Sequence, residues 1–348
     1  MPPTQQPEMT ALMMTAIREL ELVEVPAPAP EQPGEVLLRV RAAGVCGSDL
    51  HGYAGTTGRR TPPLIMGHEV TGEVVATGQG VTGLPAGTRV AVQPVAYCGE
   101  CAQCRAGNPN LCTRRRLMGM NAPGGYAPYV VWPAENLYPL PDGLSFEQGA
   151  LAEPLAVAVH AVGLAEYRPD DAVLVVGAGP IGLLILMLLK HAGLSRRAIS
   201  DLSDERLALA RELGAEVTIN PAQQPLDEAI RQYTDGEGVD VAFEAVGLSA
   251  TVGQAIGATR NGGTVVWVGN NARVVEVDMQ SVVTRELTIR GSYGMRDDDF
   301  RRALALLAEG ELPAERLITR RASLAEGPAL FEELLADPEI TKCVITFE

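Results

Sequence analysis

Four apolar residues in a row, Val173-Leu174-Val175-Val176, run straight into Gly177-Ala178-Gly179-Pro180-Ile181-Gly182, and this junction constrains the fold more than anything else in the chain. A continuous apolar run suits a parallel strand covered on both faces, and the glycine-rich turn opens an apolar helix over residues 181–191. Parallel strands need crossover connections, so the junction commits this part of the chain to an α/β sheet. Ala198-Ile199-Ser200 reads as the next strand. Ser203-Asp204-Glu205 starts a helix that Leu207, Ala210, Arg211 and Leu213 continue and Gly214 ends. Further strands are expected at residues 217–219, 239–244, 264–268 and 287–290. Six strands with crossover helices make a doubly wound parallel sheet.

The glycine pattern carries chemistry only because of where it stands. Gly177 allows the tight turn, Gly179 lets a pyrophosphate approach the backbone, and the helix opened by Pro180, Ile181 and Gly182 offers free amides and a partial positive charge. Asp201 lies nineteen positions beyond Gly182 at the end of the next strand, where a carboxylate accepts from both ribose hydroxyls and repels a 2′-phosphate. NAD is therefore expected over NADP, although Arg206 is close enough to accommodate a phosphate in part. Val246 and Val268, at later strand ends, are weaker candidates for cofactor contact.

The rest of the chain has a different texture. With 348 residues, two domains are expected. From Met13 to about Val159, short β-like runs such as 36–40 and 70–76 alternate with frequent Gly and Pro, as in an irregular, barrel-like all-β unit. The first ten residues read as a loose tail. After Gly294, Asp297-Asp298-Asp299 opens a helix in which Phe300, Ala303, Leu304 and Leu307 recur at helical spacing until Gly310. Residues 343–347 read as a strand returning to the first unit. The expected layout is thus discontinuous, with 1–164 and 299–348 in one domain and 165–298 in the nucleotide domain.

The longest apolar run, residues 181–189, is too short for a bilayer, which needs about twenty. Met1-Pro-Pro-Thr-Gln-Gln-Pro-Glu does not read as a secretion signal. A formal charge of −15 opposes general adhesion to nucleic acid or anionic membrane. A cytoplasmic protein with neither partner is expected.

Four of the six cysteines crowd into one lobe, residues 96–114. Cys98, Cys101, Cys104 and Cys112 have spacing suited to tetrahedral zinc, and a closed thiolate shell leaves no place for substrate, so that site should be structural. Arg105, Arg114, Arg115 and Arg116 are near enough in sequence to offset its charge. Cys46, in Gly44-Val45-Cys46-Gly47-Ser48-Asp49-Leu50-His51, stands twenty-two residues before Gly67-His68-Glu69, and Glu153 precedes Pro154. Taken singly, these are more often a core thiol, a satisfied histidine and surface carboxylates. Cys343 reads as packing.

In combination these motifs resemble the zinc-dependent medium-chain dehydrogenases over nearly the whole length. The Cys-Gly-Ser-Asp-x-His segment, Gly-His-Glu, the four-cysteine lobe, Gly124-Gly125-Tyr126-Ala127, Glu153-Pro154, Gly-Ala-Gly-Pro-Ile-Gly and Gly291-Ser292-Tyr293 occur in that family's order. The sorbitol (polyol) and 2,3-butanediol branch is most similar. The resemblance implies a GroES-like barrel beside a Rossmann domain. It also implies two zincs per chain, with a catalytic one held by Cys46, His68 and Glu69 and with Glu153 as an additional or exchanging ligand. Charge counting adds that Glu69 and Glu153 should not both coordinate while alkoxide is bound, because a second carboxylate would make the site anionic.

The implied reaction is oxidation of a secondary alcohol with hydride transfer to NAD. Ser48 and His51 match the family's proton-relay positions, with the cofactor ribose between them. Family position suggests Tyr53, Met118, Met120, Tyr293, Met295 and Arg296 around the substrate. The chain departs from the sorbitol enzymes at Gly52, where an aromatic residue is usual, and in lacking an arginine within Gly291-Ser292-Tyr293-Gly294. It also lacks the histidine that threonine 3-dehydrogenases carry before the first structural cysteine. A phosphorylated sugar alcohol would need basic ligands such as Arg59-Arg60, a pair more often found on solvated loops. The rival readings are threonine dehydrogenase, a zinc-free NADPH quinone reductase and a non-catalytic NAD-binding protein. The family implies a homo-oligomer, tetramer or dimer.

Overall fold

The computed structural model describes residues 7–348. Contacts within the chain divide it into two compact units. One comprises Met1–Glu153, Arg296–Glu309 and Ala314–Glu348, and the other Pro154–Met295 with Gly310–Pro313. The first division thus falls at 153/154, before the body of the helix Ala152–Gly163, and the second at 295/296, whereas the sequence suggests 164/165 and 298/299.

The first unit is built on the strand Glu35–Val45, whose Val36, Leu38 and Val40 point alternately into the core as a half-buried strand requires. It pairs antiparallel with Glu69–Thr77, and on its other edge with Tyr129–Pro133 and then with Lys342–Thr346. The C-terminal strand therefore returns to the first unit, with Cys343 opposite Val45 and Val344 opposite Gly44. Gly44 also lies opposite Glu69, so one register brings together residues from three distant parts of the chain. The core below includes Leu38, Met66, Met118, Tyr126, Trp132 and Phe331. The expected loose tail ends early: Glu8 to Thr10 open the strand Glu8–Ala16, fixed by pairing with Glu19–Pro26. Residues 1–6 of that tail lie outside the described residues.

The second unit carries a six-stranded, all-parallel sheet in the spatial order Val217–Ile219, Arg196–Ser200, Ala172–Val176, Val239–Glu244, Thr259–Trp267, Thr288–Gly291. Every residue of Ala172–Val176 is buried, which explains its unbroken apolar sequence. The helix Pro180–His191 buries a continuous stretch from Gly182 to Leu189. Ser203 caps the helix Asp204–Leu213, accepting from the Arg206 N–H, and Gly214 ends it at φ +120°. The fifth strand begins at Thr259, five residues earlier than its apolar run suggests, because Thr259 already pairs with Val239 ahead of a register shift. Among the described residues, no helix is long and apolar enough to cross a membrane.

Candidate metal centres and dinucleotide site

Cys46 follows directly on the strand Glu35–Val45 and caps the short helix Gly47–Tyr53, while His68 and Glu69 stand at the entry to Glu69–Thr77. Strand pairing brings these two chain segments together, and one ligand atom from each of Cys46, His68 and Glu69 lies within 4.8 Å of the others. Sulfur, imidazole nitrogen and carboxylate oxygen are a donor set that zinc accepts. Glu153 is buried but falls outside that 4.8 Å set. Burial pushes its carboxyl up to about 7, with Glu69 adding to the effect and His68 opposing it.

Two of the three inner groups, Glu69 and His68, are braced from behind. Lys342, from the last strand, donates from Nζ to Glu69 Oε1 at 2.5 Å and to the Val45 carbonyl at 3.1 Å. Burial disfavours the ammonium, but Glu69 and Cys46 outweigh it and hold the Lys342 pKa above its usual range. The ammonium is in ion-pair range of Glu69 Oε2 as well, yet that oxygen receives no aligned hydrogen bond and remains a buried acceptor. It lies over Gly44, where an added Cβ would come within 1.9 Å of it. His68 turns Nδ1 toward Asp49 Oδ1 at 3.4 Å, leaving its other ring nitrogen for a ligand. Asp49 is fully buried and accepts from Arg60 Nη2 at 2.6 Å and from the Tyr126 hydroxyl at 2.9 Å. Despite its burial, His68 and Arg60 hold the Asp49 carboxyl well below the usual range.

Ser48 and His51 share the helix Gly47–Tyr53 with Asp49. Ser48 is exposed, whereas His51 is partly buried, and that burial lowers its pKa below the usual 6.5.

In the cysteine lobe, sulfur–sulfur distances are 3.5 Å for Cys98–Cys112 and for Cys101–Cys104, and 3.9 Å for Cys98–Cys104. Zn–S bonds of about 2.3 Å would set tetrahedral edges of roughly 3.8 Å, so the four thiols fit the metal closely. Backbone amides of Cys98, Cys101 and Arg114 point at sulfur. Backbone donation near Glu100 leads the lowering of the Cys98 thiol to about 6, favouring the thiolate a metal needs. The four arginines do not all serve this charge: Arg114 also pairs with Glu100, and Arg116 stacks on Trp132 at 5.7 Å.

At the glycine turn, Gly177 has φ +101° and Gly182 packs so tightly that a Cβ would meet the Gly177 carbonyl oxygen at 1.8 Å. Gly179 differs: apart from its immediate neighbours in the chain, no protein atom lies within 4 Å of an added Cβ. The fold does not need glycine there, whereas a pyrophosphate approaching the helix N-terminus at Pro180 does. Asp201 closes the turn, accepting from the Ala178 N–H at 2.7 Å and the Ser203 N–H at 2.9 Å. Arg206 is partly buried and its Nε has no protein partner among the described residues. Val246 and Val268 stand at the ends of neighbouring strands, tied together by Glu244, whose Oε1 accepts from Val246 and Gly247 while its carbonyl accepts from Val268.

Residues 32–142 match the family described as the alcohol dehydrogenase GroES-like domain, and residues 180–309 match the zinc-binding dehydrogenase family. D-arabitol-phosphate dehydrogenase of Enterococcus avium is 35% identical over 310 residues, covering 88% of each chain. The chain belongs to the zinc-binding alcohol dehydrogenases. It is an oxidoreductase acting on CH–OH donors, with the GroES-like and Rossmann folds of that family. L-threonine 3-dehydrogenase of Symbiobacterium thermophilum is 38% identical over 293 residues, 81% of this chain and 83% of that one. The crystal structure of 2R,3R-butanediol dehydrogenase from Bacillus subtilis superimposes with a TM-score of 0.87 at 34% identity, covering 98% of this chain and all of that one.

Within this dehydrogenase, several residues expected around the substrate have other duties. Tyr53 is buried, packs edge-on against Phe331 with ring centroids 5.3 Å apart, and donates to Glu332 and the Arg18 carbonyl. Met118 belongs to the barrel core and Met295 is buried, while Met120 and Tyr293 are partly exposed. Arg296 is exposed and donates to Asn108 of the cysteine lobe. Arg60 is neither solvated nor available to a phosphate, since it is buried against Asp49; only Arg59 is exposed.

Three residues of the dehydrogenase sites escaped sequence reasoning, Asp49, Lys342 and Glu244, and a fourth, Arg60, reads in sequence as a loop or phosphate residue rather than as the buried partner of Asp49. Asp49 and Lys342 sit inside strongly apolar or motif-rich stretches, where an isolated charge is the signal that could have marked them.

Proposed function

We propose that this chain oxidises a secondary alcohol, in the class of polyols, sugar alcohols or vicinal diols, to a ketone with NAD. The observation that carries the reading is the convergence of Cys46, His68 and Glu69, braced by Lys342 and Asp49, with Ser48 two residues beyond Cys46 in the helix Gly47–Tyr53. Residues 1–164 with 299–348 would form the catalytic domain, and 165–298 the nucleotide domain.

Cys46, His68 and Glu69 would hold one zinc and Cys98, Cys101, Cys104 and Cys112 a second. Gly177, Gly179, Pro180, Ile181, Gly182, Asp201, Arg206, Val246 and Val268 would hold NAD. When bound, zinc supplies Lewis acidity toward the substrate hydroxyl and NAD the hydride acceptor. The protein's own groups do the rest. Ser48 takes the hydroxyl proton and His51 exchanges it with solvent, a task that suits a half-buried imidazole whose burial favours the neutral, proton-accepting form. Asp49 orients His68, and Lys342 holds the Glu69 carboxylate in position. Glu153, outside the inner cluster with a raised pKa, would approach only in exchange for Glu69.

A panel of polyols, vicinal diols, threonine and sugar-alcohol phosphates, read by NADH absorbance, tests the reaction and selects the substrate. About two zincs per chain are expected from metal analysis. One zinc would leave only the structural site, and tight NAD binding with no turnover on any alcohol would replace the enzyme reading with a binding protein. The chain's similarity to a phosphorylated-polyol dehydrogenase and a threonine dehydrogenase makes those substrates the informative alternatives. A cytoplasmic homo-oligomer is expected, which hydrodynamic mass would test.

A further inference from the structure

We propose that Arg60 is a positioning residue of the proton relay, occupying the space that a side chain at position 52 would fill, so that its guanidinium aims the Ser48 hydroxyl and braces Asp49 behind His68. This rests on the reading of Ser48 as a relay group and His68 as a ligand.

Gly52 makes the arrangement possible. A Cβ added there would lie 2.3 Å from Arg60 Cγ and 3.2 Å from Arg60 Cβ, so any side chain on that face of the helix Gly47–Tyr53 expels the arginine stem. With glycine in place, Arg60 lies against the helix with 4% of its surface exposed. Its Nη2 then donates to two acceptors, Asp49 Oδ1 at 2.6 Å and Ser48 Oγ at 3.3 Å. One nitrogen thus joins the relay hydroxyl to the carboxylate behind the metal-site histidine.

Arginine has no acceptor and keeps its charge, so both bonds run one way. A hydroxyl has one proton and two lone pairs. Donation from Nη2 takes one lone pair of Ser48 and repels the Ser48 proton to the opposite side. One lone pair is left to take the proton of the substrate hydroxyl. An O–H bond forms at Oγ as the original one breaks, its proton passing on toward His51, which gives it to solvent, with no net change of charge on Ser48. On the other side, Asp49 is fully buried and held by Arg60 and Tyr126 while its Oδ1 faces His68 Nδ1. Removing the guanidinium leaves this carboxylate without its 2.6 Å hydrogen bond and free to turn.

The test compares Arg60→Met, Arg60→Lys, Gly52→Ala and the Gly52→Ala/Arg60→Met pair as zinc-loaded full-length enzymes, with kcat expressed per bound zinc. Arg60→Met is expected to lower kcat roughly 10- to 100-fold with KM little changed, the range seen when groups behind a metal ligand are removed. Its solvent deuterium isotope effect should rise, and a chelator should withdraw the metal from the Cys46–His68 site faster. Arg60→Lys should recover part of both. Gly52→Ala should reproduce the Arg60→Met behaviour, and the double variant should be no worse than either single, because both changes remove the same guanidinium. Should Arg60→Met fail to fold, Gly52→Ala and Arg60→Lys carry the comparison. The proposal is overturned if Arg60→Met keeps wild-type kcat, isotope effect and chelator resistance, or if the two single losses add. Ser48→Ala separates the two readings. A loss there without one in Arg60→Met sinks the role of Arg60 alone, whereas unchanged turnover in Ser48→Ala overturns the relay and the Ser48 half of this proposal with it.

Discussion

Asp201 accepts with one carboxylate oxygen from the glycine turn and with the other from Ser203, which orients its carboxylate beside the expected ribose. Asp201→Gly should therefore raise the ratio of NADP to NAD kcat/KM on the order of tenfold or more, the size of one charge–charge contact near a protein surface. The ratio is the proper readout, since losing the bond to Ala178 also weakens the turn. An unchanged ratio would contradict the ribose contact. His51 offers a second test at this scale. Burial lowers its pKa, so the imidazole stays neutral and able to accept a proton until the pH falls below its usual 6.5. The acid limb of kcat is expected below that value. His51→Gln should cost more turnover at pH 6 to 7 than at pH 9, where hydroxide relieves the need for a base; equal loss at both would remove His51 from the relay.

At the scale of elements, the pairing of Glu35–Val45 with Glu69–Thr77 and Lys342–Thr346 decides the geometry of the inner cluster. Gly44 is the crossing point. Because its Cβ would meet Glu69 Oε2 at 1.9 Å, Gly44→Ala has to push the carboxylate off its seat or bend the strand. A stability loss of about 1–3 kcal/mol is expected from such overpacking, together with weaker zinc binding at this site and unchanged binding in the cysteine lobe. Zinc titration alongside thermal melting would show it, and equal weakening of both metals would point to general unfolding instead. The cysteine lobe is governed differently: its short helix Ala102–Arg105 positions Cys101 and Cys104, the turn Pro109–Leu111 ends at Cys112, and Cys98 stands only a few residues before them.

At the scale of the whole molecule, folding buries a carboxyl at Glu153 and raises its pKa to about 7. An acid whose folded pKa exceeds its unfolded value contributes stability that is complete below about pH 4.5 and lost as pH rises through about 7. The metal-free protein should therefore lose thermal stability across that window, and Glu153→Gln should flatten that part of the decline. A Glu153→Gln profile parallel to wild type would place the charge elsewhere. The unit that holds this group is also discontinuous, its last strand supplying Lys342 to Glu69 across 273 positions of chain.

Read by itself, the chain determined the parallel sheet, the glycine turn with Asp201, the four-thiol lobe and the candidate metal donors Cys46, His68 and Glu69 that the structure brings together. Each of those signals lies within a few dozen residues, where backbone geometry converts spacing directly into proximity, or within motifs whose order a family shares. Tertiary structure alone decided which groups stand behind the donors. Lys342 reaches Glu69 through sheet register, Arg60 reaches Asp49 because Gly52 leaves room, Tyr53 is drawn into the core by Phe331, and Glu153 falls outside the inner cluster. Such contacts depend on the packing of surfaces far apart in sequence, and no local pattern of residue types specifies which distant side chain fills a given space.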